Sequence, residues 1–158
     1  MEFCLLSLPH REVIRQSLPR FQRRKAAVQP EKTILYVDYS TDNAEVVKFF
    51  LNQSGYAVET CETGEAGLDL ARRTPFALIM TEYRLPDMDG TDFCREFRKL
   101  DARIPLVFFT ASVQKREREK GLASGAQAYL IKPDDLDKIT ETVGALINQN
   151  HRFATAGR

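Results

Sequence analysis

Four residues in this chain could do chemistry together if the fold brings them to one place: Asp38, Glu82, Thr110 and Lys132. Two carboxylates, a hydroxyl and an ammonium form a set able to hold a divalent cation, an anion or a phosphoryl group. The same set can also be a neutralised charge cluster that binds nothing. Each member closes a short apolar run. Ile34-Leu35-Tyr36-Val37 ends at Asp38-Tyr39-Ser40, and Phe76-Ala77-Leu78-Ile79-Met80 ends at Thr81-Glu82. Leu106-Val107-Phe108-Phe109 ends at Thr110-Ala111-Ser112, and Ala128-Tyr129-Leu130-Ile131 ends at Lys132-Pro133. Strand alternation sends Thr81 to the side opposite Glu82.

These runs, with a fifth at Ala57-Val58-Glu59-Thr60, alternate with longer amphipathic stretches. Four are almost continuously apolar, as strands covered on both faces of a parallel sheet are. The run at 57–60 is more polar, which suits an edge strand. Helical spacing appears in Ala44, Val47, Phe50 and Leu51 before Gly55, and in Phe93, Cys94, Phe97 and Leu100 after Gly90. It appears most cleanly in Leu136, Ile139, Val143, Leu146 and Ile147, while a mostly charged helix is expected from Gln114 to Ser124. Such alternation predicts an α/β fold with right-handed crossovers and an open sheet covered on both faces. Ligands bind such sheets outside the carboxyl ends of the strands, where the strand order reverses. That rim is where the four residues would meet.

The 158 residues, 43% hydrophobic and 28% charged, fit one domain better than two. A net charge of +1 provides no chain-wide basic field for nucleic acid. No apolar run approaches the ~20 residues needed to span a bilayer, so no transmembrane segment is expected. Three widely spaced cysteines without a CxxC pair argue against a disulfide framework or zinc site and predict a reducing, cytoplasmic setting. Charge is uneven. Residues 1–32 hold seven basic and three acidic residues, a net +4, whereas the remainder is net −3. Pro9, Pro19 and Pro30 punctuate that stretch, which reads as a mobile basic N-terminal extension with room for a short helix over His10–Leu18. The alternating pattern occupies 33–149, and 150–158 reads as a C-terminal tail with no second domain after it.

Residues 33–149 resemble a response-regulator receiver domain, the phosphoacceptor module of two-component signalling. The resemblance rests on Ile34-Leu35-Tyr36-Val37-Asp38, Leu85-Pro86-Asp87-Met88-Asp89-Gly90, Phe109-Thr110-Ala111 and Tyr129-Leu130-Ile131-Lys132-Pro133, in family order. It implies a flavodoxin-like three-layer α/β/α sandwich of five parallel strands, ordered 2-1-3-4-5, with five helices. It also implies phosphoryl transfer from a kinase phosphohistidine to an aspartate ending the third strand, with Mg²⁺ held partly by an acidic pair ending the first. By resemblance, Asp38 takes one acidic place and Thr110 the hydroxyl place that moves toward the phosphoryl group. Tyr129 takes the aromatic switch place, which reorients with it and alters the face of the fourth helix, fifth strand and fifth helix. Lys132 takes the phosphate-neutralising place, followed by Pro133, whose peptide bond is cis in the family pattern.

Two places depart from the pattern. The acceptor lies four residues before the loop proline, and four before Pro86 is Glu82; the second acidic place is Tyr39. Glutamate adds a methylene, moving its carboxylate by up to ~1.5 Å, and in-line transfer tolerates such displacement at a cost of about 10²-fold. Tyr39 substitutes a neutral phenol for a hard anionic ligand, so Mg²⁺ at Asp38 and Glu82 is expected to be weak or lost. A carboxylate at Glu82 can reach Lys132 and Thr110 and partly imitate a phosphorylated aspartate, with one charge against roughly 1.5 to 2. A plain Glu82–Lys132 ion pair and residual phosphoryl chemistry stay open beside it.

The expected function is that of a stand-alone, non-enzymatic receiver-like protein, signalling by protein–protein interaction without phosphorylation. Its partner is a histidine kinase or other signalling protein, with a homodimer open. The alternative is a phosphorylatable relay with residual Mg²⁺-dependent chemistry. An Asp-x-Asp phosphatase is disfavoured because Ser40 follows two residues after Asp38. Nucleotide enzymes are disfavoured because neither GxxxxGK[ST] nor GxGxxG occurs.

Overall fold

The computed structural model describes residues 32–156. The basic extension at 1–32, except Lys32, and its short helix at His10–Leu18 lie outside the described residues. The elements run β1 (Thr33–Val37), α1 (Thr41–Gln53), β2 (Ala57–Cys61), α2 (Gly64–Arg73), β3 (Leu78–Thr81), α3 (Gly90–Leu100), β4 (Leu106–Thr110), α4 (Lys115–Ala123) and β5 (Ala128–Ile131). A 3₁₀ turn at Leu136–Lys138 then leads into α5 (Ile139–Ala156). All strand pairs are parallel and the order is β2-β1-β3-β4-β5. This is the three-layer flavodoxin-like arrangement expected of the sequence.

Strand alternation sorts the core into two layers. Ile34, Tyr36, Leu78, Met80, Val107 and Phe109 face Ala44, Val47 and Leu51 of α1 and Ile139, Val143 and Ile147 of α5. Leu35, Val37, Ile79, Leu106, Phe108 and Tyr129 face Leu68, Phe93, Cys94 and Phe97. β1, β3 and β4 are buried along their whole length, while β2, at an edge, is buried only at Val58.

Two helices pack through glycine, which hydrophobic periodicity does not register. The buried residues of α2 are Gly64, Gly67 and Leu68. The charged helix α4 buries Gly121, where a Cβ would sit 3.1 Å from the Tyr129 ring and 3.2 Å from that of Phe108. Its Leu122 stays exposed. The last helix runs to Ala156, into the segment read as a tail. No glycine or proline interrupts Asn150–Ala156 to stop it.

At the amino end of β4, Arg98 ties three segments together. Its guanidinium donates to the carbonyls of Gly125 (2.9 and 3.0 Å), Ile104 (2.7 Å) and Asp101 (3.2 Å), and to Oε1 of Gln127 (2.9 Å). Cys94 adds an Sγ contact to the Ser124 carbonyl at 3.3 Å. Gly125 adopts φ +111°, a conformation open to glycine and strained for other residues.

Candidate functional site

Asp38, Glu82 and Lys132 stand one residue beyond strand ends, yet each backbone N–H still bonds its neighbouring strand. Asp38 donates to the Cys61 carbonyl (2.9 Å), Glu82 to Val37 (2.9 Å) and Lys132 to Thr110 (2.8 Å). Their side chains therefore spring from rigid sheet rather than from loops. Thr110 is the last residue of β4.

The four side chains converge. Glu82, 7% exposed, accepts from the Thr110 hydroxyl and from the Tyr83 N–H (2.6 Å) through Oε1, and from the Lys132 ammonium (2.9 Å) through Oε2. Lys132 also donates to Oδ2 of Asp38. Asp38, 2% exposed, takes a second and third bond from the Tyr36 hydroxyl (2.5 Å) and the Ser40 N–H (2.8 Å). The Lys132 ammonium lies 5.7 Å from the Tyr36 ring centroid and 5.3 Å from that of Phe109, within cation–π range. Burial pushes the Tyr36 phenol well above its ordinary value of 10.0, and the neighbouring Asp38 carboxylate pushes it further. Buried charge of this kind persists only when its partners are complete. No buried side-chain nitrogen or oxygen among the described residues lacks a partner.

Every carboxylate oxygen at the rim already accepts a hydrogen bond, and one ammonium bridges both acids. No group of three or more His, Cys, Asp or Glu that could hold a metal occurs among the described residues. Tyr39 joins none of these bonds; it is 57% exposed and, with Arg84 and the loop after β4, lines an open cleft of about 340 Å³ beside Glu82.

Tyr129 is 2% exposed and linked to the cluster through one residue, Ser112. The Ser112 N–H donates to the Thr110 hydroxyl oxygen (3.1 Å), and its carbonyl accepts from the Tyr129 hydroxyl (3.2 Å). The Tyr129 ring packs 5.6 Å from Phe108 and 6.3 Å from Tyr83, with the Arg118 guanidinium 5.7 Å above it. Burial raises the Tyr129 phenol. Lys132–Pro133 is cis.

Sequence reasoning passed over Tyr36 and Ser112. Period-two alternation was the available signal, since each sits two residues from a site residue on the same strand side or loop, Asp38 and Thr110 respectively. It also gave Asp87 no task beyond the loop signature. Asp87 accepts from the N–H groups of Gly64 and Glu65, both at 2.8 Å, and so caps α2 from a distant loop.

With this geometry in hand, similarity to known proteins is informative. Residues 34–144 match the family model described as the response regulator receiver domain. The transcriptional regulatory protein CreB of Escherichia coli is 31% identical over 124 residues, covering 78% of this chain and 54% of that protein. The sensor protein EvgS of the same organism is 33% identical over 123 residues, 77% of this chain but 10% of EvgS. The chain spans about half the length of the curated transcriptional regulators it matches. Among solved structures, a CheY-like receiver domain protein from Methanospirillum hungatei is 31% identical with a TM-score of 0.66, covering 75% of this chain and 98% of that one. The receiver domain of the sensor histidine kinase PA1611 from Pseudomonas aeruginosa, solved with magnesium in its active-site cleft, is 28% identical with a TM-score of 0.69, covering 74% and 98%.

Proposed function

The chain belongs to the response-regulator receiver family of two-component signalling, and we propose that it signals through protein contact without a phosphoryl group, Glu82 standing in for a phosphorylated acceptor. The observation that carries this reading is the double engagement of Glu82 by the Thr110 hydroxyl and the Lys132 ammonium. These are the two groups that a phosphoryl oxygen would attract in the family mechanism. Tyr129, buried and bonded to the loop that follows Thr110, fits the same signalling-competent arrangement. The face built from α4, β5 and α5 is then held in one state, for recognition by a histidine kinase or another signalling protein.

Magnesium is present in the cleft of the PA1611 receiver domain. Here Tyr39 withdraws an anionic ligand and Lys132 occupies both remaining acids, so we assign this chain weak or absent Mg²⁺ binding. The test is intact mass after incubation with acetyl phosphate and Mg²⁺, beside a Glu82→Asp, Tyr39→Asp double variant. The wild-type chain is expected to gain nothing and the double variant one phosphoryl group. A phosphoryl group gained by the wild type at the rim would instead favour a relay receiver with residual chemistry.

A further inference from the structure

Ser112 commits all three of its polar groups. Its N–H and carbonyl join Thr110 to Tyr129, and its hydroxyl donates to Oε2 of Glu117. The other Glu117 oxygen accepts from the Arg84 guanidinium, and the Glu117 side chain is 12% exposed although every other residue of α4 except Gly121 is exposed. Arg84 lies two residues after Glu82, so this second linkage joins the loop after β3 to the first turn of α4.

Glu117 is the third residue of α4, where a glutamate ordinarily reaches back to the helix-capping backbone. Here the cap residue Gln114 makes no side-chain capping bond, and Glu117 turns to Ser112 and Arg84 instead. The intervening loop has no apolar anchor: Ala111, Val113 and Gln114 are exposed. Its position is set by polar links from Ser112 to Thr110, Tyr129 and Glu117.

We propose that Ser112, Glu117 and Arg84 form a second lock that holds Tyr129 inward independently of Glu82. Ser112 and Glu117 are positioning residues: they fix the carbonyl that Tyr129 bonds, and with it the surface shared by α4 and β5. The proposal rests on the reading above only in taking Tyr129 as the reporter of the pocket's state. A carboxylate that is mostly buried and bonded on both oxygens is costly to strand, so the lock is all-or-none in its parts. Removing either Ser112 or Glu117 disables it.

The experiment uses the full chain labelled with fluorotyrosine, the Tyr129 resonance being assigned by its loss in Tyr129→Phe. Glu117→Gln is expected to move that resonance toward the position of a solvent-exposed tyrosine. It should also speed amide exchange over Ser112–Arg118 by on the order of tenfold or more, the equivalent of one hydrogen bond to a charged group. Ser112→Ala keeps the carbonyl and removes only the hydroxyl; it should give the same shift, and the double variant no more than either alone. Glu82→Gln distinguishes the two readings. If Glu117→Gln moves Tyr129 and Glu82→Gln does not, the lock stands and Glu82 loses its controlling role. If only Glu82→Gln moves it, the lock is overturned and the pocket reading stands. Movement in both supports both, and movement in neither overturns both.

Discussion

Glu82 and Thr110, 28 residues apart in sequence, share a hydrogen bond across the adjacent strands β3 and β4. That bond ties together the two residues we propose for the acceptor and hydroxyl places of a receiver fold. Its neighbour in the network, Lys132, makes the arrangement electrically tolerable, because one ammonium serves two buried acids.

Lys132→Met should therefore be far more damaging than Glu82→Gln. It leaves Asp38 and Glu82 buried without their cation, a loss of about 3–5 kcal/mol. Glu82→Gln retains an acceptor oxygen and leaves Lys132 paired with Asp38, so it should cost no more than about 3 kcal/mol. Urea midpoints at neutral pH measure both, and equal costs would refute the shared-cation account.

Tyr36→Phe removes the phenol that donates to Asp38, at about 1.5–3 kcal/mol for a bond to a charged group. The sign of its pH dependence follows from the raised phenol. The folded chain retains that proton where the unfolded chain releases it near 10.0. Stability from this source is complete below pH 10 and declines above it. Wild type and Tyr36→Phe should accordingly converge in alkaline unfolding titrations.

Asp87 shows the opposite sign. Burial acts to raise its carboxyl, but the N–H donors of Glu65 and Gly64 outweigh burial and the net shift is downward. Its contribution is present above the ordinary value of 3.8 and is lost as pH falls toward the folded value. Asp87→Ala should cost about 1 kcal/mol at neutral pH, the worth of an N-terminal cap. The difference from wild type should vanish in strong acid, as followed by circular dichroism of thermal melts.

Gly90→Ala tests the floor beneath Glu82. A Cβ there would lie 2.4 Å from the Glu82 carbonyl oxygen and 2.8 Å from Cε1 of Phe108. Neither a backbone carbonyl nor a fully buried ring can retreat cheaply, so a loss of about 1–3 kcal/mol is expected from overpacking. A melting temperature unchanged from wild type would mean that the loop before α3 is softer than its contacts indicate.

The sheet was legible because β1, β3 and β4 are buried on both faces and must be apolar throughout. The rim residues were legible because a parallel sheet presents one end of every strand together. Leu100 and Phe50, read as part of apolar stripes, are exposed: Leu100 is the last residue of α3 and Phe50 lies to one side of the buried Ala44, Val47 and Leu51, and spacing does not mark where the sheet ends. α2 escaped periodicity because its contact surface is made of absent side chains, Gly64 and Gly67, beside Leu68. The Arg84–Glu117 pair spans 33 residues and joins a loop to the first turn of a helix, so no periodic signal encodes it. The Ser112–Glu117 bond spans a loop and a helix start, where spacing has no fixed geometric meaning.

Arg98 has a mechanical consequence. By gripping Gly125 and Gln127, with Cys94 holding Ser124, it clamps the carboxyl end of α4 to α3 and the start of β4. The amino end of the same helix is held through Glu117. A nine-residue helix is a lever roughly 13 Å long. Fixed at one end and latched at the other, α4 would pivot about Ser124 and Gly125 if the latch at Glu117 opened. Its first turn, beside Ser112, would then travel farthest, and Gly121, close to the pivot and seated on Tyr129, would travel little.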